Sequence, residues 1–187
     1  MLLLAYILVT LFQLFLAFYV TYLAVAFVTG GPFVPSSMKA ARAMVSVAKI
    51  KPDDRVYDFG SGDGRLLMLA AEKGAIAVGF EINPFLVAYT NIRAFFSPYR
   101  GRVCAYWKNF WRAKVTDADV VFVYLLPWKM DKLQKLLETQ LHTGAIIVSN
   151  SFIFRSWRVT QHDTDAHVYV FQIPSYKQVS DRRISKK

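Results

Sequence analysis

The sequence predicts an α/β fold, a mostly parallel sheet with helices on both faces, preceded by one long apolar helix. Three observations predict it. Short apolar runs alternate with helical stripes along most of the chain, which is the signature of a parallel sheet with crossover helices. The apolar runs do not alternate with polar residues, as befits strands buried on both faces. The first strand runs straight into a turn with three glycines and then into a helix.

The elements follow in order. From Met1 to Met38 no residue is charged. Met1 to Val28 is one apolar run, longer than the roughly 20 residues that cross a bilayer as a helix. Thr10, Gln13 and Thr21 can return hydrogen bonds to their own helix or face a partner. Tyr6, Tyr19 and Tyr22 suit an interface. A cleaved signal peptide ordinarily begins with a charged region and has a shorter apolar core, although Ala24-Val25-Ala26 resembles a cleavage triplet. A buried core helix would be shorter, with one polar face. Residues 1–29 are therefore expected to be a transmembrane helix, 30–37 a Gly/Pro/Ser linker, 38–174 the folded domain and 175–187 a basic tail.

In the domain, Ser36 or Ser37 can cap a helix in which Met38, Ala41, Val45 and Ala48 share a stripe. A turn at Lys51–Asp54 leads to a strand at Arg55–Phe59. A helix at Leu66–Lys73 stops at Gly74, and a strand follows at Ala75–Phe80. Asn83 and Pro84 open a helix that runs to about Phe96, with Phe85, Tyr89, Ile92 and Phe96 on one face. Strands are expected at Val103–Tyr106, Val120–Leu125 and Ala145–Ser149. Met130, Leu133, Leu137 and Leu141 stripe the helix before the last of these. Two final strands are expected near Trp157–Thr160 and His167–Ile173.

Charge points to a surface partner. The formal net charge is +10. No acid lies between Glu81 and Asp117, while Arg93, Arg100, Arg102, Lys108, Arg112 and Lys114 do; the tail sets Lys177, Arg182, Arg183, Lys186 and Lys187 against Asp181. Each such residue near an anionic leaflet contributes about 1 kcal/mol of attraction. With an anchor expected, the lipid bilayer is the simplest partner, reached through residues 1–29 and the tail. A solvated basic surface and a nucleic-acid patch are the other readings. Basic residues follow the apolar run and none precedes it, which puts the domain on the cytoplasmic side of a single-pass protein. Cys104 is the only cysteine, and His142, His162 and His167 lack a metal-ligand spacing, so no metal site is expected.

The chemistry is concentrated in Asp58-Phe59-Gly60-Ser61-Gly62-Asp63-Gly64-Arg65. Gly60, Gly62 and Gly64 let the backbone turn tightly and let a ligand come close. A dinucleotide loop needs Gly-x-Gly-x-x-Gly, but here the third glycine comes one residue early and Arg65 takes its place; there is no Walker lysine. The spacing fits a ligand without phosphates whose charged amino-acid part lies over the turn. The second strand then ends Gly79-Phe80-Glu81-Ile82-Asn83. In Rossmann-like folds an acid here accepts hydrogen bonds from ribose hydroxyls. A Gly-rich turn beside a solvated Glu81 is the alternative.

On these residues the chain resembles the class I, seven-strand methyltransferases. More narrowly, it resembles the protein-lysine methyltransferases that include the enzymes acting on the mitochondrial ADP/ATP carrier and on the ATP synthase c-subunit. Further matching segments are Pro32-Phe33-Val34-Pro35-Ser36, Gly79 to Pro84, Asn109-Phe110-Trp111 and Val120 to Pro127. The resemblance implies a Rossmann-like seven-strand methyltransferase sheet of order 3-2-1-4-5-7-6 and S-adenosyl-L-methionine as cofactor. It implies cofactor contacts at Pro35, Ser36, Asp58, Gly60, Ser61, Gly62, Asp63, Gly64, Glu81, Ile82, Asn83, Asn109 and Phe110. The family usually has an acid where Asn109 stands, to accept from the adenine amino group; the Asn carbonyl can still accept. The acceptor site is expected at Leu125-Leu126-Pro127-Trp128, which lacks the Asn/Asp-Pro-Pro-aromatic pattern of enzymes acting on amide or nucleobase nitrogens. Nucleic acid is thereby disfavoured, and the expected substrate is a lysine of a membrane or membrane-proximal protein. The alternatives are a quinone or lipid methyltransferase and a non-catalytic cofactor-binding scaffold. A domain facing a mitochondrial matrix would look the same. Trp128 either walls the acceptor channel, with Phe110, Trp111 and Phe152, or packs the following helix onto the sheet.

Overall fold

The computed structural model describes residues 2–29 and 36–173. The chain divides into two compact units, residues 1–34 and 35–187. The first is a helix, α1 (Leu2–Thr29). Thr10 Oγ1 donates to the Tyr6 carbonyl at 2.9 Å and Thr21 Oγ1 to that of Ala17 at 2.8 Å, so both hydroxyls are satisfied inside the helix. Leu2–Tyr22 is long and apolar enough to cross a membrane.

The second unit begins with α2 (Met38–Val47), capped by Ser37, whose Oγ accepts from Ala40 N at 3.1 Å. There follow β1 (Arg55–Phe59), α3 (Arg65–Glu72), β2 (Ile76–Glu81), α4 (Pro84–Phe95), β3 (Val103–Trp107), a short 3-10 turn (Phe110–Arg112), β4 (Val120–Val123), α5 (Pro127–Gln140), β5 (Ile146–Asn150), β6 (Gln161–Asp163) and β7 (Val168–Gln172). The seven strands form one sheet of order β3-β2-β1-β4-β5-β7-β6. The first five are parallel, and β7 pairs antiparallel with β5 and β6. This is the expected Rossmann-like architecture. Alternate strand residues supply two cores. Val56, Ala77, Ala105, Phe122 and Val148 pack with α2 and α3; Tyr57, Phe59, Val121, Val123 and Ile147 pack with Met130, Leu133 and Leu137 of α5.

One expectation needs correction. The sixth strand is Gln161–Asp163, not Trp157–Thr160. Trp157 is held against the core, its ring 4.6 Å from Phe154 and its Nε1 donating to Glu138 Oε1 at 2.9 Å, so pairing begins only beyond it. The apolar stripe of α4 would ordinarily be its packed face, yet Phe85, Tyr89, Ile92 and Phe96 are all exposed. Asn91 decides the orientation. Its amide donates to Ala105 O and accepts from Ala105 N, both at 2.8 Å, clamping that side of α4 to the sheet's edge strand. Buried Thr90 and Ala94 lie beside Asn91 on the helix and are small enough for close approach.

Candidate active site

The site is built on the carboxyl ends of β1, β2, β4 and β5. The register sets Phe59 beside Phe80 and Val123, and Val123 beside Ser149, so the segments after these strands leave the sheet at one end. Gly60, Gly62 and Gly64 have φ of +89°, +56° and +73°, the left-handed conformation their sequence pattern predicts. Gly60 N and Ser61 N both donate to Phe80 O, at 2.9 and 3.1 Å, folding the turn across β2. The glycines divide the labour. A Cβ on Gly60 would meet open space, whereas one on Gly64 would overlap Thr90, and one on Gly79 would overlap Ser61 and Leu67. Gly60 thus faces a cradle, while Gly64 and Gly79 serve packing. Ser61 Oγ is buried with no hydrogen-bond partner among the described residues.

Glu81 is buried. Its Oε2 accepts from Gly62 N at 3.0 Å, and its Oε1 from Ile82 N and Asn83 N at 2.8 and 2.9 Å. It therefore braces the glycine turn as well as offering further lone pairs. Asp58 is buried too. Burial first, then the negative charges of Glu81 and Asp63, push its pKa up to about 8. Asp63 is held below its ordinary range by Arg65, whose Nε and Nη2 grip it at 2.9 and 2.7 Å. Arg65 Nη1 also donates to Ser36 O, and Ser36 Oγ accepts from Asn150 Nδ2 at 3.1 Å. The segment before α2 is thereby tied both to the glycine turn and to the end of β5. Pro35 lies outside the described residues.

Asn83 Oδ1 caps α4, accepting from Phe85 N at 3.0 Å, and the Ile82 carbonyl accepts from Trp107 Nε1 at 2.9 Å. Asn109 Oδ1 accepts from Trp111 N at 3.0 Å, so one lone pair of its carbonyl already caps the 3-10 turn. Phe110 is buried and stacked on Phe59 at 5.1 Å, which assigns its ring to the core.

On the acceptor side, Leu126 is extended (φ −63°, ψ 142°), as a residue before proline should be, and Pro127 opens α5. The Leu126 carbonyl accepts from Lys129 N at 2.9 Å, while Leu125 is buried. Trp128 is 62% exposed, so the alternative that it packs α5 onto the sheet is overturned; Met130, Leu133 and Leu137 do that. Phe152 is half-buried. Its carbonyl accepts from Ser149 Oγ at 2.6 Å, and Ser151 has φ +66°.

Sequence reasoning did not name Arg65 or Asn150 as site residues. Both left a signal: an arginine directly after the last glycine, and an amide ending an apolar strand. The residues present fit a ligand with an ammonium group for Asp58 and hydroxyls for Glu81 and Ser61. Among the described residues no three His, Cys, Asp or Glu are grouped to hold a metal.

Residues 58–161 match a family described as the ANTKMT methyltransferase domain. A protein-lysine N-methyltransferase of Saccharolobus islandicus (strain REY15A) is 34% identical over 156 residues, 78% of this chain and 96% of that one. The ATP synthase C-subunit lysine N-methyltransferase of Mus musculus is 35% identical over 126 residues, 67% of this chain and 51% of that protein, so this chain spans about half its length. Among solved structures, an RNA methyltransferase from Salinibacter ruber in complex with S-adenosyl-L-homocysteine superposes with a TM-score of 0.72. It is 34% identical and covers 76% of this chain and 95% of its own.

Proposed function

The chain belongs to the ANTKMT methyltransferase family, and from that premise we propose that it moves a methyl group from S-adenosylmethionine to a lysine side chain of a protein at or near a membrane. The observation that carries this reading is the convergence of buried Asp58, the open cradle at Gly60 and buried Glu81 on one end of the sheet.

The named activities of relatives in Saccharolobus and mouse support a lysine acceptor. S-adenosylmethionine, when bound, supplies an electrophilic methyl group on a sulfonium. Asp58 takes the ammonium end of the ligand and the lone pairs of Glu81 take its ribose hydroxyls. Ser61, the backbone of Ile82 and Asn83, and the Asn109 carbonyl complete the cofactor side. Arg65 and Asn150 hold Ser36 beside the turn.

The acceptor enters at Leu125–Trp128. A lysine amine must lose its proton before it can attack; its reference pKa of about 10.4 falls on desolvation and beside positive charge. Positioning supplies much of the rest. The carbonyls of Leu125 and Leu126 orient the amine, Leu126 with the lone pair Lys129 leaves it. Trp128, with Trp111 and Phe152, screens the entrance from water. α1 anchors the protein in the bilayer, the basic tail lies against the anionic leaflet, and the domain stands on the cytoplasmic or matrix face. A second reading, transfer to RNA, is favoured only by the substrate for which the Salinibacter methyltransferase is named.

The test is incubation of the full chain with membranes, RNA and S-adenosylmethionine radiolabelled in its methyl group. The expected product is labelled lysine in protein. Glu81→Ala loses a charged hydrogen bond worth about 1.5–3 kcal/mol and should weaken cofactor binding at least about tenfold. Trp128→Ala should cut transfer to protein while leaving cofactor affinity nearly intact. Label confined to lipid extract or RNA, or no label at all, overturns the reading.

A further inference from the structure

Surface helices ordinarily bury their apolar stripe; α4 does the reverse. Thr90, Asn91 and Ala94 face the sheet, while Phe85, Tyr89, Ile92 and Phe96 line the opposite side at 74, 53, 61 and 81% exposure. Phe95 adds a ring in edge contact with Phe96, and the Arg100 guanidinium lies 4.0 Å over it. Trp107 is exposed as well, on the same face of β3 as the packed Val103 and Ala105, and its indole is tied to Ile82 just before α4. This surface coincides with the stretch that has no acid. Of its cations only Arg102 is paired, with Asp53, among the ion pairs of the described residues; Arg93 and Arg100 are exposed around the rings.

We propose that the outer face of α4, with Trp107, docks on an anionic lipid surface. The apolar side chains settle at the boundary of headgroups and acyl chains, and Arg93 and Arg100 reach the phosphates. Apolar and aromatic residues backed by basic ones, without acids, are the composition of an interfacial helix. A second copy of this face would bring cations against cations. Single-stranded nucleic acid, which stacks on exposed rings, is an outcome of the test. The same chain carries α1, long and apolar enough for a bilayer. The docked face starts at Phe85, four residues beyond Glu81, so it brings the site's end of the sheet to the headgroups. The proposal stands independently of what is methylated.

The test uses the full chain in vesicles, with Cys104→Ser and a single new cysteine carrying an environment-sensitive fluorophore. Ile92→Cys places the probe on the face; Lys135→Cys on α5 is the reference. Phosphatidylcholine vesicles with and without phosphatidylglycerol contain spin-labelled lipid as quencher. Quenching at position 92 should be at least about twice that at 135 and should grow with the anionic lipid. Far-UV circular dichroism and S-adenosylhomocysteine affinity confirm folding, and Phe96→Cys repeats the measurement if Ile92→Cys does not fold. Equal quenching at 92 and 135 overturns the proposal. So does a probe shielded before lipid is added, together with 92–92 disulfide cross-links in the unlabelled Ile92→Cys variant, which would mean a second copy. A probe that responds to RNA and not to lipid overturns it equally.

Discussion

At the scale of single residues the decisive group is Asp58. Its carboxyl, pushed from an ordinary 3.8 up to about 8, keeps its proton at neutral pH in the protein on its own. A ligand ammonium beside it would favour the charged form. Binding of S-adenosylhomocysteine should therefore release a proton below about pH 8, with affinity rising by up to about tenfold per pH unit and levelling above that point. The sign for folding is opposite. A carboxyl whose pKa is raised in the folded state contributes fully below about pH 4 and loses that contribution as pH climbs toward 8. Asp58→Asn should remove both dependences. Calorimetry in two buffers of different ionisation enthalpy measures the proton release, and an unchanged proton count in the variant would sink the assignment. The sequence made Asp58 and Glu81 legible because strand ends and glycine spacing fix where such acids must stand. It did not show that Glu81 also holds Gly62 N, nor that Asn109 and Leu126 spend a lone pair on helix starts. Those roles depend on the local direction of the chain.

At the scale of elements, spacing located every α-helix and every strand but one, and left open which face of α4 packs. Periodicity says that a stripe exists, while the choice of which side packs belongs to contacts such as Asn91 with Ala105. Trp157 read as strand because aromatic residues favour strands, yet its hydrogen bond to Glu138 fixes it elsewhere. Gly79 is the element-scale hinge of the site: the turn rests on β2 only because no side chain stands there. Gly79→Ala should lower stability by about 1–3 kcal/mol, as overpacking does, and weaken S-adenosylhomocysteine binding as the turn is displaced. Thermal unfolding with and without the ligand checks both. A stable variant with unchanged affinity would show that Ser61 and Leu67 yield without moving the turn.

At the scale of the whole molecule, two units share one chain: an uncharged helix and a domain that carries all the described strands and its own two cores. Removing residues 1–34 should leave a domain with the same unfolding temperature and ligand affinity. It should leave neutral vesicles and still sediment with anionic ones, in a manner suppressed by salt. Sedimentation at low and high ionic strength is the measurement, and co-sedimentation with neutral vesicles would overturn the division of labour. Asn91 matters at this scale too. β3 is an outer strand of the sheet, and outer strands invite another chain to add on. The amide of Asn91 occupies both backbone groups of Ala105, the middle residue of that strand. The helix clamp is thus also a guard against self-templating, and a lesion at position 91 should surface first as aggregation in storage, before any loss of turnover.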